Sequence, residues 1–386
     1  MRKAINQERM RSLNKHQIFV LVKQTGPVSK KAVADRLGIS LTTVSTFINE
    51  LLDEEKLVPC GTSKSTGGRK SELFTLNPDA LYVMGVDIQV DRLVCVILNF
   101  TGDPLYAETV PLTETDEWQV AALLKQQLAR CVDQADIPPG KLGALGIGVP
   151  GIVDPGSSLI EFAPNLGWRS VNLPAMLALE LPLVIENEAN AAVLGEKTYG
   201  LGKDHSNIAF ISIGSGIGTG LILNNALYRG FANNSGEFGH MTVVPDGLPC
   251  RCGNHGCWEV YASDDAALQR FRDQTGAPPA DFDALLRLAA AGDPAALETL
   301  EETARYLGIG LANLANALNP ELIVLGGKLA QHQSLIRNRL LREVKERALD
   351  RAFRGLTVDF STLGVQATAL GVAGLALQRV IAEPEP

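Results

Sequence analysis

Three thiols and one imidazole lie within eighteen positions of this chain: His240, Cys250, Cys252 and Cys257. Soft thiolates with a single imidazole suit a tetrahedral zinc ion. Four protein ligands leave no open position for a catalytic water, so the run predicts structural zinc and not zinc chemistry. Gly239, Gly247, Gly253 and Gly256 punctuate the segment, as a loop wrapped tightly around an ion requires. Reduced structural cysteines or a disulfide are the alternatives. Two carboxylates flank the run, Glu237 before it and Glu259 after it.

A second set of residues suits phosphate. Gly214, Ser215, Gly216, Gly218 and Gly220 follow an apolar run over 207–213. A glycine turn can cradle phosphate through backbone N–H groups, although glycines serve tight hairpins equally well. The turn is not a dinucleotide fingerprint, because the pattern after it reads as a strand and not a helix.

A third set suits nucleic acid. Ala34, Gly38, Val44 and Phe47 have the spacing of a helix-turn-helix. A small residue lets two helices touch, Gly permits the turn, and two apolar residues hold the second helix down. Its exposed face would carry Ser40, Thr42, Thr43, Ser45, Thr46 and Asn49, whose short hydroxyls and amides suit phosphates and base edges in a major groove. A hairpin after it carries Lys64, Gly67, Gly68, Arg69 and Lys70, a set suited to a minor groove. The alternative is a small protein-interaction domain with a merely solvated polar face.

These residues need elements to position them. The first 75 or so residues read as short helices: one with an apolar face from Leu13 to Val22, one over 30–37 capped by Ser29, and one capped by Ser40. Strands at 57–58 and 72–76 enclose the polar loop. From residue 80 the texture alternates between strands and helices, which is an α/β pattern. Strands are expected at 82–86, 93–98, 145–149, 183–185, 207–213 and 322–325, with a glycine turn over 214–220 and a returning strand over 221–223. Helices are expected from Ala189 and over 307–318. Two halves that each open with strand, turn and strand suggest a duplicated core with a cleft between lobes.

Bulk properties bound the function. The chain has 386 residues, 46% apolar and 20% charged, which allows two or three domains. No apolar run of about 18 residues stands out in the sequence, so no membrane insertion is expected. The first residues are polar, with no apolar leader expected, and Cys60, Cys95 and Cys131 are scattered, so a reducing cytoplasm is expected. Net charge is -8, but residues 1–79 hold 13 Lys/Arg against 8 Asp/Glu. A basic module on an acidic body follows.

The whole chain resembles the ROK family of repressors, open reading frames and sugar kinases, most of all its sugar-responsive repressors. The resemblance is carried by Glu237-Phe238-Gly239-His240 with the cysteine triplet and Glu259, by Gly148-Val149-Pro150-Gly151, Pro164-Asn165-Leu166 and Glu186-Asn187-Glu188-Ala189-Asn190, and by Leu325-Gly326-Gly327. It implies an α/β chain with an N-terminal winged helix-turn-helix (1–78) and a two-lobed, actin-like, ribonuclease H-like sugar kinase fold. The lobes would be 79–187, completed by 366–386, and 188–365 with the zinc site. In the family's kinases, residues matching Asn165, Asn187, Glu237, His240 and Glu259 contact sugar. His240 can bind zinc through one nitrogen and face sugar with the other.

Two departures from the kinase pattern matter. The kinases' Asp-x-Gly-Gly-Thr hairpin is here Asp87, Ile88, Gln89, Val90, Asp91, with both glycines gone and negative charge where phosphate would sit. Their general base, an Asp, is here Glu188, one methylene longer and so a degenerate base. A base displaced by about 1 Å can lose about 10²-fold in rate. The expectation is a catalytically inactive regulator, with Gly214, Ser215, Gly216 and Gly218 as a phosphate-loop remnant. It would bind operator DNA as a homodimer or tetramer and take a sugar or sugar-phosphate effector. An active kinase, or a repressor controlled by a sugar-transport protein, are the alternatives.

Overall fold

Two serines start the N-terminal helices. Ser29 accepts the N–H of Ala32 and Ser40 that of Thr43, each satisfying a donor that a helix start leaves free. In the computed structural model, which describes residues 2–63 and 71–381, these helices follow a long first one. The order is α1 (Arg2–Thr25), β1 (Val28–Ser29), α2 (Lys30–Leu37), α3 (Leu41–Asp53), β2 (Leu57–Thr62) and β3 (Glu72–Leu76). Gly38 closes α2 in the left-handed region, φ 65°. Val44, Phe47, Ile48 and Leu51 bury one face of α3, and the strands form an antiparallel sheet in the order β1-β3-β2. Lys64, Gly67, Gly68, Arg69 and Lys70 lie outside the described residues.

The next elements are β4 (Tyr82–Ile88), β5 (Arg92–Asn99), β6 (Pro104–Pro111), α4 (Glu117–Gln134), β7 (Leu142–Val149), β8 (Ile152–Asp154), β9 (Leu159–Ala163), β10 (Trp168–Val171), α5 (Leu173–Leu177), β11 (Leu183–Asn187) and α6 (Glu188–Thr198). The first large sheet runs β11-β7-β4-β5-β6. β4, β5 and β6 form an antiparallel meander, while β7 is parallel to both β4 and β11. Strands β4 and β7 are nearly continuous apolar runs because both faces are covered. The small antiparallel sheet β10-β9-β8 was not foreseen from the sequence; its strands have three to five residues, too few for a clear alternation.

The second half repeats the plan: β12 (Ile208–Ile213), β13 (Ile217–Leu223), β14 (Ala226–Leu227), α7 (Glu259–Ala262), α8 (Asp264–Thr275), α9 (Phe282–Ala290), α10 (Pro294–Leu318), β15 (Leu322–Gly327), α11 (Lys328–Gln331), α12 (Arg337–Arg347), α13 (Asp350–Arg354), β16 (Thr357–Phe360) and α14 (Ala367–Ile381). Its sheet runs β14-β13-β12-β15-β16, again an antiparallel meander followed by two parallel strands. The duplicated core therefore has one topology used twice. Helix α10 begins thirteen residues before the expected 307; Asp293 caps it and Pro294 sits in its first turn, where a missing N–H costs nothing.

Helix α14 departs from the sequence reading. Gly364–Ile381 is long and apolar enough to cross a membrane, and half of it is buried within the fold. Its apolar side chains cover the first sheet. An added Cβ at Gly85 would lie 2.0 Å from the carbonyl oxygen of Ala369, and one at Gly146 would lie 2.1 Å from that of Val372. The last helix thus returns to the first sheet, and its apolar length is explained by a buried role. One core cluster joins the N-terminal helices, the α14-covered face of that sheet and α14 itself, with Phe19 and Phe100 in ring contact at 5.6 Å. Lys141 and Glu55 pair across the same junction at 2.7 Å.

Candidate functional site

The four candidate metal ligands come together. Donor atoms of His240, Cys250, Cys252 and Cys257 all lie within 4.8 Å of one another. Sγ of Cys252 and Cys257 are 3.7 Å apart, and Sγ of Cys250 is 3.6 Å from His240 Nδ1. A tetrahedral ion with Zn–S bonds of about 2.3 Å requires sulfur separations of about 3.8 Å. The donor set therefore fits a tetrahedral metal, with Nδ1 as the imidazole ligand. The loop supports this spacing through its backbone. Thr242 bridges to Cys257, Pro249 bridges to His255, and Gly256 packs against the Val244 carbonyl.

Glu259 opens α7 beside this cage. Its Oε1 lies 3.0 Å from Cys250 Sγ and 3.2 Å from His240 Nδ1. Its Oε2 would be 2.8 Å from a Cβ at Gly216, so the carboxylate spans from the cage to the glycine turn. Glu237 Oε2 faces the other imidazole nitrogen, Nε2, at 3.8 Å. The Glu237 side chain is about half exposed, yet partial desolvation by the surrounding protein raises its carboxyl above the ordinary range, with His240 opposing the shift and nearby Glu259 adding to it.

The glycine run is shorter as a turn than the sequence suggests. Only 214–216 form it; Gly218 and Gly220 already belong to β13. They serve close packing. A Cβ on Gly220 would sit 2.0 Å from the Ala189 carbonyl, and one on Gly218 would meet Ala189 and Glu188 at 3.3 Å. The N–H of Gly214 is taken by the carbonyl of Gly216 at 3.0 Å. Ser215 Oγ accepts a long 3.5 Å contact from Asn165 Nδ2, which reaches it from the first half of the chain.

Asn187 caps α6. Its Oδ1 accepts from the N–H groups of Ala189 and Asn190, and its Nδ2 donates to Gly151 O and to Glu188 Oε2. All four hydrogen-bonding positions of this amide are engaged. Glu188 is half-buried at the start of α6. Burial pushes its carboxyl up to about 8, with Asp87 and Glu237 adding charge repulsion. Asp87 is itself raised by burial to about 7, Gln89 and Arg92 opposing the shift. Its Oδ2 accepts from Gln89 Nε2 at 2.7 Å and its Oδ1 has no partner among the described residues.

The hairpin tip modifies the sequence argument. Asp91 pairs with Arg92 at 2.6 Å, so its negative charge is offset locally. What distinguishes the tip is occupancy: Gln89 covers Asp87, and the backbone N–H of Gln89 donates to the Arg92 carbonyl. One contact here escaped sequence reasoning. Glu186 and Arg229 pair across the two halves, although they stand forty-three positions apart. No local pattern signals such a pair.

On α3, Thr42, Thr46 and Asn49 are exposed and Thr43 and Ser45 half-buried, while Ser40 lies exposed at the cap. Ser40 Oγ contacts Thr43 Oγ1 at 2.8 Å, Thr46 Oγ1 donates to the Thr42 carbonyl, and Asn49 accepts from Lys30.

The family model described as ROK family matches residues 83–379, well over half of the chain. This chain belongs to the ROK family. A ROK relative along nearly its whole length is the xylose repressor of Bacillus subtilis (strain 168). It is 32% identical over 374 residues, 96% of this chain and 97% of the relative. The fold is that of a ROK family transcriptional regulator, a homologue of the Escherichia coli MLC protein (TM-score 0.81, 24% identity, 96% and 97% coverage). A ROK family glucokinase from Streptomyces griseus, solved with glucose and AMPPNP, matches less of this chain. It covers 77% of it and 99% of the kinase, at 31% identity and TM-score 0.69.

Proposed function

We propose that this ROK protein is a sugar-responsive transcriptional repressor whose sugar-kinase-like body has lost catalysis. One observation carries the reading. The repressor relative matches 96% of the chain, whereas the glucokinase matches 77% of it while being itself 99% covered. The family model begins at residue 83. What the regulator adds is the three-helix module of residues 1–78, read here as a winged helix-turn-helix that contacts operator DNA through α3. The protein would work in the cytoplasm as a homodimer or tetramer, because one short recognition helix reads too few bases alone.

In the body, the lobes 79–187, completed by the C-terminal helix, and 188–365 face each other across a cleft. Asn165, Glu188, Glu237, His240 and Glu259 are the proposed sugar contacts, with Asn187 holding Glu188 and the Gly151 loop in place. His240, Cys250, Cys252 and Cys257 would hold a structural zinc, which fixes the imidazole and anchors Glu259. The sugar favours one lobe arrangement, and the paired DNA modules follow as a population shift. The shared core between module and first sheet supports this coupling, since the module is packed onto the body and not tethered by a loose linker.

Loss of catalysis is supported by the filled hairpin tip and by Glu188 at the base position. The test is fluorescence anisotropy of the full-length protein on labelled duplexes from the DNA flanking its own gene. D-xylose and D-glucose, the sugars named with its relatives, are then titrated in. Sequence-preferring binding with Kd on the order of 10⁻⁸ M, released by sugar, is the expected result. Binding with no preference over random duplex overturns the reading.

A further inference from the structure

Glu186 and Arg229 join the edges of the two large sheets. Glu186 lies in β11, an edge strand of the first sheet, and Arg229 follows β14, an edge strand of the second. Among the described ion pairs this one alone links the two sheets. The Glu186 side chain is only 5% exposed. Its carboxylate is held by several donors: Oε1 accepts from the N–H of Asn187 and from Nδ2 of Asn190, each at 3.1 Å, and Oε2 accepts from Arg229 Nη2. Arg229 Nε is buried and has no partner among the described residues, so the guanidinium uses less than its full fork.

The pair sits between the two segments that carry the proposed sugar contacts. Glu186 immediately precedes Asn187 and Glu188. The loop that presents Arg229 runs directly into Glu237 and His240. It is folded back on itself, with Ser235 N donating to the Arg229 carbonyl at 3.1 Å and Ser235 Oγ to the Tyr228 carbonyl at 2.5 Å. Gly236 then pins its end to β13, where a Cβ would lie 2.1 Å from the Thr219 carbonyl. Neither partner can drift without moving a cleft segment. A buried charge whose partner is removed is left desolvated, so the pair has a strong preference for staying formed.

We propose that the Glu186–Arg229 ion pair is an interlobe latch that sets how far the cleft is closed before the effector binds. Both are then positioning residues for the effector response, an assignment that rests on reading the cleft as the sugar site. The latch raises the share of molecules in the binding-competent arrangement, and apparent affinity scales with that share. Reducing the competent share to about a tenth weakens sugar binding about tenfold, with no sugar contact touched.

The experiment uses the full-length protein as wild type, Glu186→Gln, Arg229→Gln and the double variant. Small-angle X-ray scattering without sugar reads lobe separation. Calorimetric titration with D-xylose and D-glucose reads affinity. Each single variant should enlarge the radius of gyration and weaken sugar binding by about tenfold or more, and the double variant should be no worse than either single, because both remove the same contact. Arg229→Lys, which keeps the charge but not the fork, should fall between wild type and Arg229→Gln, and it stands in where a glutamine variant does not fold. Unchanged scattering in all folded variants, or losses of affinity that add, overturns the latch. If wild type binds neither sugar, the sugar reading is what fails, and the scattering comparison still decides whether the pair holds the lobes.

Discussion

Glu259 offers a sharp test of the cleft, because two different substitutions should act on it in the same way. Glu259→Gln keeps the size of the side chain and removes its charge. A hydrogen bond to a charged group contributes roughly 1.5–3 kcal/mol, so losing it should weaken sugar binding about tenfold to over a hundredfold. The second substitution is Gly216→Ala. Gly216 does not adopt a positive φ, so alanine is acceptable to the backbone. Its Cβ would lie 2.8 Å from Glu259 Oε2 and would push the carboxylate aside. A displacement of even a few tenths of an ångström lengthens a sugar contact, so a loss of about tenfold or more is expected with the charge intact. Both variants should keep their operator affinity without sugar, since neither residue touches the N-terminal module. The assay is release of a preformed protein–DNA complex by D-xylose or D-glucose, followed by anisotropy, with metal content measured on each sample. Release at the wild-type sugar concentration by both variants, with metal retained, would refute the placement of Glu259 in the pocket.

Other outcomes follow from the same geometry. Cys252→Ser should remove about one zinc per chain and lower the melting temperature by on the order of 10 °C, because a structural zinc site contributes several kcal/mol of folding energy; wild-type protein that elemental analysis shows to be zinc-free would refute it. ADP production with D-glucose or D-xylose and ATP should stay far below about 10 s⁻¹, a typical enzyme turnover, in a coupled assay. Burial raises Asp87 to about 7 and Glu188 to about 8, so the folded state holds protons that the unfolded chain has already released. Their contribution to stability is therefore fully present below about pH 4 and is lost as pH rises towards 8, the reverse of an ion-paired carboxylate; the melting temperature should fall over that window, and Asp87→Asn with Glu188→Gln should flatten the slope. Thr43→Ala should change preference among operator variants measured by anisotropy, while a uniform loss on all duplexes would make Thr43 a phosphate contact.

Much of this protein is written locally in its sequence. Ser29 and Ser40 cap helices where their hydroxyls are read, because a cap depends on residues three positions away. The candidate metal site is legible for a similar reason: three thiols and one imidazole within eighteen positions can converge without help from distant elements. The doubling of strand, turn and strand was visible at 82–98 and 207–223, since a buried strand announces itself by its own apolar run. Local chemistry also misleads. Gly218 and Gly220 look like more of a phosphate turn, yet they belong to a strand that α6 approaches within backbone contact. The run at 364–381 has the composition of a membrane span and is instead half buried in the fold. Those outcomes depend on which element packs against which, and no window of sequence contains the partner. The same is true of Glu186 and Arg229, whose meeting requires two sheets to be complete before their edges can face each other. Nearest-neighbour chemistry decides where helices, strands and a metal loop begin. Only the closure of the two halves decides which glycines are spacers, which helix is core, and which charges bridge the cleft.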